Sequence, residues 1–415
     1  MHRREIYRVG IFLLFLLCAF PAAAQEKMSY ADADQQTYAL YLKKDWAGID
    51  KAGHKALAEG IDFYYLRLRM GMAYYYRRNF FLAEHHLIHA LGFSSGDPVS
   101  LELLYWCYVF EGKYEEARAL SKSFTPELAK QIGSDTLHKL GFVMLEGGSK
   151  SSDSSRLYQS SYYFQAGLGH FVNNRFSLFH AATISNETDL VGGTTQLQYY
   201  LKASIPIKYT WSLMPAIQLI TRNFTPTPGP PPPWHPTMGH PFPPPPPPRP
   251  LPIRSNYAVG SMMVRKTIGT FDIAIGTTIS NIDSNGQINH SLALTWYPLG
   301  NTRLSASCTG YLYTSDKYQN SNTAFNPSIT VCPWKRLAFT IAYLNCKGSN
   351  LVESDGYIVN NRPDPTRMRW SYLASLTLSK HVAIYGLYQI EDKQEYTKQF
   401  TYHYNLIVAG LKFNP

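Results

Sequence analysis

Phe271-Asp-Ile-Ala-Ile-Gly-Thr-Thr-Ile-Ser280 alternates with a period of two. Phe271, Ile273, Ile275, Thr277 and Ile279 form one face, and Asp272, Ala274, Gly276, Thr278 and Ser280 the other. Successive side chains of a strand point to opposite faces, so this segment has one greasy and one small or polar side. The pattern recurs. Trp370, Tyr372, Ala374, Leu376 and Leu378 alternate with Arg369, Ser371, Leu373, Ser375 and Thr377. Leu304, Ala306, Cys308 and Leu312 alternate with Arg303, Ser305, Ser307, Thr309, Tyr311 and Tyr313. Strands of about ten residues with one lipid-compatible face are the signature of a transmembrane β-barrel.

Composition agrees. Of 415 residues only 16% are charged, while 14% are aromatic and 31 are Tyr. Soluble domains average about 25% charge. Mean hydropathy is −0.23, too low for a bundle of membrane helices. The one long apolar run, Ile11 to Ala24, is shorter than the ~20 residues a spanning helix needs. With Arg3, Arg4 and Arg8 ahead of it and Ala22-Ala23-Ala24 behind, residues 1–24 read as a signal peptide. Its removal lowers the net charge from +10 to +8, since three arginines and Glu5 leave. No basic cluster suggests nucleic acid. Cys107, Cys308, Cys332 and Cys346 show neither metal-ligand nor C-x-x-C spacing.

Turn spacing sets the barrel topology over residues 136–415. Short connectors at 173–174, 208–209, 268–269, 298–300, 333–335 and 379–380 alternate with longer ones at 188–192, 223–254, 282–287, 314–322, 348–366 and 391–400. Short turns belong in the periplasm and long loops outside. A strand is also needed before 156–172 for an even, closed barrel, and 138–146 supplies it. The count is about 14 strands, with 12 or 16 open. Trp211, Trp296 and Trp334 fall beside short turns, as an aromatic girdle would. The Pro-rich insert at 223–254 faces outside by strand parity. Its His235 and His240 are a weak metal signal. Asp272, Arg303 and Arg369 are candidates for the lumen.

Residues 25–133 follow another rule. Tyr74, Phe80 and Ala83 recur 34 positions on as Tyr108, Tyr114 and Ala117, and Phe80, Ala90 and Leu91 have counterparts 34 back at Trp46, Ala56 and Leu57. The spacing predicts helix pairs near 30–63, 64–97 and 98–124. In each pair Trp46, Phe80 or Tyr114 wedges the turn, and a small residue such as Ala83 or Ala117 allows close approach. Thr125, Pro126 and Gly133 predict a closing helix. The fold class is thus α + β multidomain, a helical repeat followed by an antiparallel barrel.

On Gly112-Lys-Tyr114-Glu-Glu-Ala117, its echo at Phe80 and Ala83, and the terminal strand ending at Phe413, the chain resembles tetratricopeptide-repeat plus outer-membrane-barrel proteins. These are the YaiO-like barrels and the exopolysaccharide export porins. The resemblance implies a Gram-negative outer-membrane address, a periplasmic repeat domain and insertion by the barrel-assembly machinery. It also implies a concave face carrying Tyr38, Tyr41, Tyr65, Met72, Tyr75, Tyr76, Trp106 and Phe110 for a protein or glycan partner, with export of a polysaccharide or other cargo as one role. No cofactor, metal site or catalytic residue is expected. The alternatives are an outer-membrane enzyme acting on lipid or lipopolysaccharide through His170, His180 or His381, a non-conducting scaffold or adhesin, and a soluble β-sandwich.

Overall fold

The computed structural model describes residues 28–134, 139–153, 160–172, 176–188, 192–227, 251–282, 286–315, 320–346, 348, 351–359, 364–394 and 400–415. The signal peptide reading, most of the Pro-rich insert, His235 and His240 lie outside them.

Seven α-helices come first: α1 (Tyr30–Leu42), α2 (Trp46–Ala58), α3 (Tyr64–Tyr76), α4 (Phe80–Phe93), α5 (Pro98–Glu111), α6 (Tyr114–Leu120) and α7 (Pro126–Ile132). Their boundaries are written in the sequence. Ser29 and Asp32 form a capping box on α1, and Asp45, Asn79, Asp97 and Thr125 each accept a backbone N–H at the start of a helix. Such caps satisfy donors that a helix start leaves unpaired. Gly112 and Gly133, both at φ 77°, end α5 and α7 in the left-handed region. Three consecutive pairs, α1/α2, α3/α4 and α5/α6, match the expected 34-residue spacing. Ala83, Ala90 and Ala117 are buried with Leu87, Leu104 and Tyr108 in one core, and Ile49, Ala56 and Met70 in another. The wedge reading holds for Trp46 and Phe80, which pack against these cores. It fails for Tyr114, which is exposed.

The rest is a closed antiparallel barrel of 14 strands. In chain order these are β1 (Leu140–Ser152), β2 (Ser161–Val172), β3 (Phe176–Thr188), β4 (Gly192–Lys208), β5 (Trp211–Pro226), β6 (Ile253–Ile268), β7 (Phe271–Ser280), β8 (Gln287–Trp296), β9 (Leu304–Ser315), β10 (Asn320–Trp334), β11 (Leu337–Cys346), β14 (Thr366–Thr377), β15 (Val382–Gln394) and β16 (Thr401–Phe413). Two short strands, β12 (Val352–Glu353) and β13 (Ile358–Val359), pair separately. β1 closes on β16 from Val143↔Phe413 to Ser152↔Tyr404. Closure removes the edge strands and satisfies their backbone groups, each of which costs several kcal/mol if unpaired in an apolar medium. The first strand is longer than expected and the second starts later. The soluble-sandwich alternative is incompatible with the closed sheet.

The alternating faces sort as the periodicity requires. Ile275, Ile279, Leu292, Leu312, Ile329, Ile341, Ile407 and Leu411 are exposed on the exterior. Trp211, Trp296 and Trp334 are also exposed, all at the short-turn end. Near the long-loop end Tyr343 packs against Trp370. The exterior is therefore an apolar belt with aromatic residues toward both rims. The four described cysteines beyond residue 27 are free.

Candidate functional site: a lumen closed at both ends

The inward faces carry the polar residues. Glu146 accepts hydrogen bonds from Tyr163 (2.7 Å) and Tyr385 (2.6 Å). Glu391 pairs with Lys150 (2.9 Å) and accepts from Thr366 (2.7 Å). Uncompensated charges are costly inside a protein, and these carboxylates are met by donors from several strands.

A loop fills the long-loop half of the barrel. Residues 351–359, between β11 and β14 in the chain, lie inside the barrel and carry the β12/β13 ribbon. Glu353 forms an ion pair with Arg369 at 2.7 Å, their side chains only 3% and 11% exposed. Asp355 pairs with Lys202 of β4 at 2.5 Å. Asn289 of β8 donates to the Val352 carbonyl at 2.7 Å. Tyr357 contacts Gln165 of β2 through its hydroxyl, and its ring meets Tyr200 at 5.0 Å. The loop thus touches strands around the barrel wall. Its tip requires left-handed backbone at Asp355 (φ 59°) and Gly356 (φ 84°). Gly356 also lies against Val259, where an added Cβ would sit 3.0 Å from Cγ1. Glycine meets both demands.

The helical domain closes the short-turn end. Glu116 of α6 accepts hydrogen bonds from Ser212 (2.6 Å) and Arg265 (2.5 Å), on β5 and β6. Glu115 accepts from Ser177 of β3 at 2.6 Å. Arg118 lies 3.9 Å from the centroid of the Phe171 ring. On the far side, Phe81 stacks on Tyr297 at 4.2 Å and its N–H donates to the Gly300 carbonyl. Asn301 donates to the Arg78 carbonyl at 3.0 Å. Gly300 adopts φ 63°, and a Cβ there would collide with the Asn79 side chain. Tyr209, in the β4–β5 turn, packs into the helical core.

Behind this interface lies a buried triad. Lys113 Nζ is 2.6 Å from carboxylate oxygens of both Glu84 and Glu111, with the three side chains at most 4% exposed. Burial and the neighbouring Glu84 push the Glu111 carboxyl well above its usual range. The two carboxylates hold the Lys113 ammonium upward despite its burial.

The sequence-predicted residues distribute as follows. Arg369 is in the lumen and fastens the loop. Asp272 faces inward at the short-turn end, accepting from Thr267 (2.5 Å) and Tyr297 (3.3 Å). Arg303 is a correction: it precedes β9 in the connector, is exposed, and sits at the rim. A seven-residue connector, not the three residues anticipated, places it there. Tyr38, Tyr65, Tyr76 and Phe110 are exposed, so the barrel leaves them uncovered, whereas Tyr41, Met72, Tyr75 and Trp106 are half-buried. Ring contacts join them into a band. Arg69 lies over Tyr38 and Tyr65, Trp46 stacks on Tyr76 at 4.8 Å, and Tyr75 and Trp106 both meet Phe110.

His170 and His180 stack on each other at 5.2 Å. His180 also bonds the Tyr199 hydroxyl, and His381 bonds the Asn414 carbonyl. Sequence reasoning missed Glu115, Glu116 and the loop anchors Glu353, Asp355 and Tyr357. Adjacent glutamates beginning a seven-residue helix were the available signal for the first two.

No protein-family model matches the chain, and no curated protein does. Among solved structures it is similar to the Ralstonia pickettii toluene transporter TbuX (8% identity, 67% of this chain and 90% of that one, TM-score 0.44). It is also similar to a Pseudomonas aeruginosa FadL homologue (8%, 66% and 90%, 0.43) and to the Acinetobacter baumannii outer membrane protein Omp33 (8%, 67% and 100%, 0.35). At these scores the chain's own geometry carries its functional reading.

Proposed function

We propose that this chain is a non-enzymatic integral protein of the Gram-negative outer membrane. In this reading its helical domain is a tetratricopeptide-like periplasmic module that caps the barrel and presents an aromatic band to a protein or glycan partner. The observation that carries it is the closed barrel with an apolar exterior and a lumen blocked at both ends by the same chain. An apolar belt of this kind is stable against acyl chains, and the short turns then face the periplasm. A bare anchor has no need of a loop fixed by buried ion pairs across its interior. A path that opens does, because such a loop is a two-state element. Partner binding on the band is the natural trigger for moving the cap, with export of a polysaccharide or other cargo as the outcome.

Planar-bilayer conductance tests this. Full-length protein is expected to give a largely closed trace. Arg369→Gln combined with Lys202→Gln and Glu116→Gln, which loosens the loop and the cap together, is expected to give open events. A trace that stays closed in that variant and after deletion of residues 351–359 would instead leave a scaffold or adhesin.

A further inference from the structure

A cavity of about 730 Å³ lies where α5 and α6 meet the inner wall of the barrel at its short-turn mouth. That size falls within the range of small-molecule sites. Its walls belong to both domains. The helices give Tyr105, Tyr114 and Arg118, and the barrel gives Lys202, Arg265, Lys380 and Lys412 among others. The cationic side chains are five, against one acidic side chain, Glu115. Lys202 and Arg265 already hold Asp355 and Glu116. Lys380 and Lys412 add two further cations, and Arg118 stands near Glu115, itself bonded to Ser177. The cavity thus gathers cations from both domains in one place, within a chain that is itself net positive.

Two of these cations are positioned by aromatic rings. Arg118 lies over Phe171, and Lys412 lies 4.2 Å from the Phe142 centroid. Such contacts hold a cation in place at little entropic cost to a ligand that arrives later. Ser177 and Ser204 add hydroxyl groups to the wall, and Tyr114 leaves its expected place as a turn wedge to line it. Aromatic faces beside hydroxyls and fixed cations suit a ring with an apolar face, several hydroxyls and a carboxylate.

We propose that this vestibule binds a short carboxylated saccharide, bridging the helical domain and the barrel. The inference deepens the transport reading above by naming a class of cargo, and it rests on that reading only for direction of passage. Because both domains contribute cations, an occupied site would also hold the cap in place.

The test is calorimetric titration of full-length protein in detergent. The probes are a uronic-acid trimer, a neutral trimer of the same linkage, and decanoate. The expected result is binding of the uronic trimer alone, with affinity falling as salt rises. Lys380→Gln with Lys412→Gln is expected to weaken it about tenfold or more, and Glu115→Gln to strengthen it. Equal binding of the neutral trimer, binding of decanoate in place of the uronic trimer, no binding, or an unchanged affinity in the double variant would each overturn the assignment. Heat-modifiable gel mobility of the same samples reports barrel integrity separately. Conductance tests the path, so failure of the binding claim and failure of the transport claim are distinguishable.

Discussion

The two closures of the lumen are built on opposite plans. At the long-loop end, nine residues thread into the barrel and are held by Glu353–Arg369 and Asp355–Lys202, with Asn289 and Gln165 contributing from other strands. At the other end a domain of roughly a hundred residues rests on the rim through α6, the start of α4 and the 297–301 connector. The loop has no core separate from the barrel: ion pairs across the lumen and the burial of Leu351 and Val352 against wall residues such as Leu344 and Val259 hold it. The cap is ordered by its own core and needs the barrel only for position. Releasing the loop therefore disorders it, while releasing the cap moves a rigid body.

The largest expected effect separates core from position. Lys113→Met leaves Glu84 and Glu111 buried without their cation and should destabilise the helical domain by about 3–5 kcal/mol. Urea unfolding followed by helical circular dichroism should show this while the barrel resists. The same triad gives a pH dependence. Glu111 is raised above its ordinary 4.5 in the folded state, so its contribution is intact below about pH 4.5 and is lost as pH rises through the folded value. Glu111→Gln should flatten that slope and stabilise the helices at neutral pH by about 1 kcal/mol or more. A steeper slope in this variant would show that the triad has been misassigned.

Next in size is the loop. Arg369→Gln strands Glu353 and should cost about 3 kcal/mol of loop docking, read as protease cleavage within 351–359. Cleavage no faster than in the parent would erase the contrast between the closures. Smaller still, Glu116→Gln weakens the contacts with Ser212 and Arg265 by about 1–2 kcal/mol. It should lower cross-linking between α6 and β6 without changing helical content. Smallest for stability, Tyr65→Ala with Tyr76→Ala should stay within about 0.5 kcal/mol per site, because both rings are more than half exposed. If the band instead packs structurally, the thermal midpoint will fall clearly.

The sequence made much of this visible. Local rules governed the helices: Thr125, Pro126 and Gly133 cap and stop α7 as read. Strict alternation sorted Phe271–Ser280 into outward and inward faces, and turn spacing led to 14 strands. Those signals are local or periodic, and a one-residue slip would expose the wrong face everywhere. Arg303 was misplaced because parity says which side a residue faces but not where a strand begins.

Where two separately ordered parts meet left no such trace. Glu115 and Glu116 look like ordinary first-turn acids, and only docking turns them toward Ser177, Ser212 and Arg265. Residues 348–366 read as an external loop, and the fold of 351–359 into the lumen rests on Arg369 and on Lys202, more than 140 positions away, together with the burial of Leu351 and Val352. Patterning is written residue by residue through backbone geometry, whereas a plug depends on charges and apolar side chains that meet after the sheet has closed. Alternation and caps therefore settled the barrel and the helices, and the assembled cylinder settled what blocks it.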